Sequence, residues 1–79
     1  MATLPTPEQS ARAILSIFKL HNIRPGRVLM AGRVNMAFLT GRRTASEYGE
    51  GLKYAEEKGW LEAGPNAIIK LTDAGFAEM

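Results

Sequence analysis

The hydrophobic positions near the start of the chain recur at the spacing of an α-helix. Thr6 is a hydroxyl N-cap followed by Pro7, and Gln9, three residues after Thr6, completes a capping-box pattern. Asn22 suits the left-handed backbone that commonly follows a helix. The apolar residues between these signals share one helix face: Ala11, Ile14, Leu15 and Phe18. This pattern predicts a first helix that starts at Pro7 and ends near Asn22.

A second helical pattern follows a turn at residues 24–27, which the Pro-Gly pair within that segment indicates. Met30, Val34 and Phe38 then lie on one stripe at intervals of four residues. We therefore expect a second helix that ends at Leu39, with this stripe in the core.

The third helix is predicted from the capping box formed by Thr44 and Glu47 to the stop signal at Gly59. One side of it is mainly apolar, with Tyr48, Leu52 and Ala55, and the opposite side carries Ser46, Glu50, Lys53 and Glu57. Gly49 and Gly51 are unfavourable inside a helix, by about 1 kcal/mol each relative to alanine. We attribute them to close packing against another helix.

After Gly59 the hydrophobic period changes to that of strands. Residues 60–63 and 67–71 read as two short strands around Gly64-Pro65-Asn66, which predicts a hairpin. Thr72 then caps a final short helical turn. Two aromatic residues at the ends of the hairpin are expected to complete the core: Trp60 and Phe76.

Composition favours one compact α+β domain over residues 1–79, with residues 1–5 as a flexible N-terminus. The chain has 79 residues, of which 46% are hydrophobic, and it has no cysteine and one histidine, His21. A chain this short leaves little room for an enclosed catalytic cavity, and it has few residues from which to build a catalytic or metal site. We therefore expect a protein that is not an enzyme and that has no cofactor and no metal. Its longest apolar runs are four residues, so we expect no membrane segment and a cytoplasmic location.

Charge is divided sharply along the chain. Residues 1–43 have seven basic residues and one acidic residue, a net charge of +6, whereas residues 44–79 have three basic and seven acidic residues, a net charge of −4. Such asymmetry indicates nucleic-acid binding or an electrostatically matched partner. The alternative is that both halves fold into one body and the charges only solvate its surface.

The order of helix, helix, tight turn, helix and hairpin, together with two sequence motifs, resembles winged helix-turn-helix domains. The first motif is Gly51-Leu-Lys-Tyr-Ala-Glu-Glu-Lys-Gly-Trp-Leu61 and the second is Leu71-Thr-Asp-Ala-Gly75. MarR-like and PadR-like regulators have similar steps at the end of the recognition helix and at the close of the wing. The resemblance implies a small three-helix winged domain with a two-stranded C-terminal wing, a short final helical turn and a transcription-regulating role in bacteria or phage.

The resemblance also implies double-stranded DNA as the partner, bound by the third helix in the major groove. Basic and hydroxyl side chains at the start of this helix would grip phosphates, and the hairpin turn would lie near the adjacent groove. The candidate DNA-binding residues are Arg42, Arg43, Thr44, Ser46, Lys53, Arg33 and Asn66. Two of these residues have an alternative explanation. Arg33 is then an ordinary polar residue on a helix surface, and Lys53 forms intrahelical ion pairs with Glu50 and Glu57.

The acidic residues of the third helix favour a different partner. Several carboxylates near a polyanion would oppose binding, although a single Glu can accept a hydrogen bond from cytosine. The alternative function is a winged-helix module for protein–protein interaction or homodimerisation that does not bind DNA.

Overall fold

The computed structural model describes residues 6–41 and 44–79 of the chain. It is a small α+β domain in which the described residues form four α-helices and one three-stranded antiparallel sheet. In chain order the elements are α1 (Pro7–Leu20), β1 (Val28–Met30), α2 (Ala31–Thr40), α3 (Ala45–Glu57), β2 (Leu61–Gly64), a 3₁₀ turn (Pro65–Ala67), β3 (Ile68–Leu71) and α4 (Asp73–Ala77).

Helix α1 provides the centre of the core. The Thr6 hydroxyl accepts a hydrogen bond from the Gln9 N–H, and the Gln9 side chain accepts one from the Thr6 N–H, so the predicted capping box is confirmed. Asn22 adopts the left-handed conformation expected after the helix, with φ of 56°. The predicted apolar face is buried in full and packs with Val34 and Phe38 of α2.

Helices α1 and α3 pack closely, with Gly51 at their contact. The start of α3 at Thr44 and its end before Gly59, where φ is 75°, are as predicted. Close packing against another helix, which we expected at both glycines of α3, is found at only one of them. Gly51 lies against the backbone of α1, whereas Gly49 faces open space and has no packing reason.

The sheet has the strand order β1-β3-β2, so β3 is central. The predicted hairpin of β2 and β3 is confirmed, with Leu61 opposite Leu71 and Gly64 opposite Ile68. The expectation of only two strands is wrong, because Val28 pairs with Lys70 and Met30 with Ile68 in a third strand. Met30 was expected on the buried stripe of α2, but it precedes that helix and is 62% exposed.

The motif from Leu71 to Gly75 joins the end of the sheet to α4. The Thr72 hydroxyl accepts a hydrogen bond from the Gly75 N–H and donates to the Trp60 carbonyl oxygen, at 3.0 and 2.8 Å. Trp60 is buried as expected. Phe76 is not: it is 49% exposed, because α4 is only five residues long and lies at the edge of the core.

None of the helices in the described part of the chain is long and apolar enough to cross a membrane.

Candidate nucleic-acid interface

The start of α3 is closed by its own capping residues. The Thr44 hydroxyl accepts a hydrogen bond from the Glu47 N–H at 3.1 Å and donates to the Glu47 carboxylate at 3.0 Å. The same carboxylate accepts the Thr44 N–H at 2.9 Å. A negative charge therefore already lies at the positive end of the helix dipole. A phosphate gripped by Thr44 would have to displace Glu47.

The predicted outer stripe of α3 is exposed along its whole length. Ser46 lies in the first turn, and Lys53 lies two turns further along the same face between Glu50 and Glu57. The intrahelical pairs considered for Lys53 are not formed: within residues 6–41 and 44–79, ion pairs involve only Arg12, with Glu8 and Glu78. The Lys53 ammonium group thus remains open to a ligand.

Arg33 and the hairpin turn lie close together on another part of the surface. Arg33 lines an open groove with Met30 and Met36, and Ala67 of the hairpin turn forms part of the same lining. Asn66, next to Ala67, is exposed and has φ of 61°, a left-handed conformation that asparagine tolerates well. Asn66 thus lies one residue along the chain from the lining of the groove that contains Arg33.

Lys53, by contrast, is far from this groove. Lys53 lines a shallow depression with Pro7, at the beginning of α1. Arg33 lines a groove with His21, just after the end of α1. At about 1.5 Å per residue, Pro7 and His21 are separated by roughly 20 Å along the helix. The five described candidates therefore do not form one contiguous site, and Arg42 and Arg43 lie outside the described residues.

Arg12 is not available as a further phosphate contact. Its guanidinium group binds the Glu8 carboxylate at 3.2 Å and the Glu78 carboxylate at 3.0 Å, which links α1 to the C-terminal helix. Hydrogen bonds to Glu8 and then to Glu78 raise the pKa of Arg12 above its usual value. The guanidinium carbon also lies 5.1 Å from the centre of the Trp60 ring.

The groove beside Arg33 is a feature that the sequence analysis does not predict. The hydrophobic pattern predicts a single helix here, whereas the apolar residues of the groove belong to two elements. Met30 is the last residue of β1, and Met36 lies on α2, on the side opposite the buried stripe. Met36 is two residues from the buried Val34, which corresponds to a rotation of about 200° around a helix. This spacing in the sequence already indicates that Met36 is exposed.

In the described part of the chain, no three His, Asp or Glu side chains are grouped closely enough to hold a metal ion. No family model, no curated protein and no solved structure matches this chain.

Proposed function

We propose that this protein is a small winged-helix DNA-binding domain that acts in transcription regulation. The observation that carries the proposal is the order of α2 and the capped helix α3, followed by the β2–β3 hairpin. This arrangement agrees with the order of elements in the winged helix-turn-helix domains that the two sequence motifs resemble.

In this proposal the exposed face of α3 enters the major groove, which is wide enough for one helix. Ser46 is placed in the first turn, where side chains reach base edges, and Lys53 approaches the phosphate backbone further along. Arg42 and Arg43 precede the helix in sequence, and in this proposal they neutralise phosphates.

The carboxylates of α3 weaken the affinity of this helix for DNA. Glu50 and Glu57 flank Lys53 on the exposed stripe, and Glu47 lies at the helix start. A surface with more carboxylates than ammonium groups repels the polyanion unless the carboxylates meet cytosine amino groups. The proposal therefore depends on the cations outside α3, chiefly Arg42 and Arg43.

The same carboxylates favour a second candidate function, a winged-helix module for protein–protein interaction. In that case the acidic face of α3 remains in solvent or meets a basic partner, and the apolar groove beside Arg33 provides a second contact surface.

DNA titration at two salt concentrations tests the first proposal. A labelled pool of mixed-sequence duplexes is titrated by fluorescence anisotropy at about 50 and about 200 mM salt, where phosphate contacts make affinity fall steeply. Replacing Arg42 and Arg43 by glutamine should weaken binding to all sequences and lower the salt slope by about 2.

The matched control is the double variant Lys58→Gln with Lys70→Gln, which removes the same charge away from the start of α3. It should retain most of the affinity. Absence of binding at the lower salt concentration, or an equal loss in both double variants, would rule out the proposed DNA surface.

A further inference from the structure

Two strongly exposed methionine side chains lie at one groove of the molecule. Met36 is 72% exposed and Met30 is 62% exposed, and together with Ala37 and Ala67 they line a concave surface of about 700 Å³. Val34 and Phe38 form the buried face of α2, so the core does not require Met30 or Met36. We call this surface, between α2 and the hairpin turn, the α2 groove.

No acidic side chain is among the described residues that line the groove, and most of its lining comes from a stretch of sequence without acidic residues. There is no acidic residue anywhere between Glu8 and Glu47. Arg33 lines the groove itself, one helical turn from both Met36 and Ala37. Three further exposed cations precede β1 in the sequence, at Lys19, Arg24 and Arg27, but Lys19 and Arg24 line a different depression.

We propose that the α2 groove binds an amphipathic helical segment of a partner protein that presents apolar side chains flanked by carboxylates. Methionine side chains adapt to differently shaped apolar ligands, and a concave apolar surface is the usual receptor for the apolar face of a helix. Arg33 at the side of the groove selects carboxylates through charge-assisted hydrogen bonds.

The charge of the groove argues against a second copy of the chain as the occupant. A second copy bound through the same surface would place one basic surface against another, because a twofold contact uses the same patch on both subunits.

This inference deepens the second candidate function and rests on it, but it does not depend on DNA binding by α3. Since Lys53 and the groove lie near opposite ends of α1, ligands at the two surfaces are separable by mutation.

The test uses the full chain, labelled with ¹⁵N and with ¹³C at methyl groups, and a synthetic helical peptide of about 15 residues. The peptide has leucine at i, i+3, i+4 and i+7 and glutamate at the flanking positions. Two further peptides serve as probes of specificity: one with every glutamate replaced by lysine, and one with the same composition in scrambled order. We expect the glutamate peptide to shift the methyl signals of Met30, Met36 and Ala67.

Variants then locate the contact. Met36→Gln should lower the affinity for the glutamate peptide about tenfold or more, as for the removal of a central apolar anchor. Leu20→Gln is the matched control, because Leu20 is 80% exposed but does not line the groove. Arg33→Gln should weaken binding of the glutamate peptide and remove most of its salt dependence.

The proposal is overturned if the glutamate peptide leaves the groove signals unchanged, or if the lysine or scrambled peptide binds equally well. It is also overturned if the free protein dimerises through the groove or if anionic vesicles, and not the peptide, shift the groove signals. The DNA titration reads out a different surface, so failure of one experiment leaves the other result interpretable.

Discussion

Gly51 of α3 lies so close to Ser10 of α1 that a Cβ atom at position 51 would be 2.7 Å from the Ser10 Cβ and 2.8 Å from its carbonyl carbon. The Ser10 carbonyl carbon is a backbone atom and the Ser10 Cβ is bonded directly to the backbone. Neither atom can therefore move away through a rotation of the side chain. The two helices therefore meet through backbone atoms at this point, and the absence of a side chain at position 51 sets the distance between them.

We predict opposite effects for alanine at the two glycines of α3. Gly51→Ala should destabilise the fold by about 1–3 kcal/mol, because the helices must move apart and the packed α1–α3 contact is strained. Gly49→Ala should stabilise it by up to about 1 kcal/mol, because its Cβ would meet no atom within 4 Å and alanine is the better helix former. Urea denaturation of both variants compares the free energies of unfolding. Equal effects at the two positions would contradict the packing explanation.

Thr72 provides a second prediction, since its hydroxyl caps α4 and also binds the Trp60 carbonyl oxygen. Thr72→Ala should lower the free energy of unfolding by about 1–2 kcal/mol, the usual cost of a lost cap. Thr72→Ser keeps the hydroxyl and should lose much less. Denaturation followed by the fluorescence of Trp60, the single tryptophan of the chain, measures both variants. If serine and alanine are equally destabilising, the hydroxyl is not responsible.

The hairpin turn contains an unfavourable residue. Ala67 has φ of 55°, and an alanine in this left-handed region costs about 1–2 kcal/mol. Ala67→Gly should therefore stabilise the protein by roughly 0.5–1 kcal/mol, after allowing for the greater freedom of glycine in the unfolded chain. Asn66→Gly should change stability less, because asparagine tolerates its φ of 61°. The midpoints of thermal unfolding test this order, and a larger gain at position 66 would reverse it.

The helix boundaries could be predicted because their signals are local. Thr6 and Thr44 each form the capping box that the sequence indicates, and Asn22 adopts the left-handed backbone expected of it. Strand β1 gives no comparable signal. It has three residues, and it exists because β3, about 40 residues later, pairs with it in the antiparallel sheet. Within so short a segment, a strand and the first turn of a helix have the same hydrophobic pattern.

The candidate site was harder to predict than the fold, because it depends on distances between elements. The sequence groups Arg33 and Lys53 by charge, whereas the structure places them near opposite ends of α1. The exposure of Phe76 likewise depends on where the short helix α4 meets the core, which no local pattern determines.

Tyr48 gives the protein a pH dependence at the alkaline end. Its ring lies 5.5 Å from that of Phe38, and its hydroxyl is 3.5 Å from the Ala31 carbonyl oxygen. Partial burial, and to a smaller extent the charge of Glu56, raise the pKa of Tyr48 above its usual value of 10.0. In the unfolded chain Tyr48 loses its proton near pH 10, before it does so in the folded protein. Above that pH the unfolded state binds fewer protons, so the free energy of unfolding should fall until the folded pKa is passed.

Tyr48→Phe separates this effect from general alkaline denaturation, because it keeps the ring and removes only the titrating hydroxyl. Near pH 7 the variant should be nearly as stable as the natural protein, since the hydrogen bond to Ala31 is long and weak. Above about pH 10 its free energy of unfolding should decline less steeply than that of the natural protein. Urea denaturation at several pH values measures the two slopes. If they are parallel across this range, the Tyr48 hydroxyl does not titrate differently in the folded and unfolded states, and its position between α2 and α3 has no influence on alkaline stability.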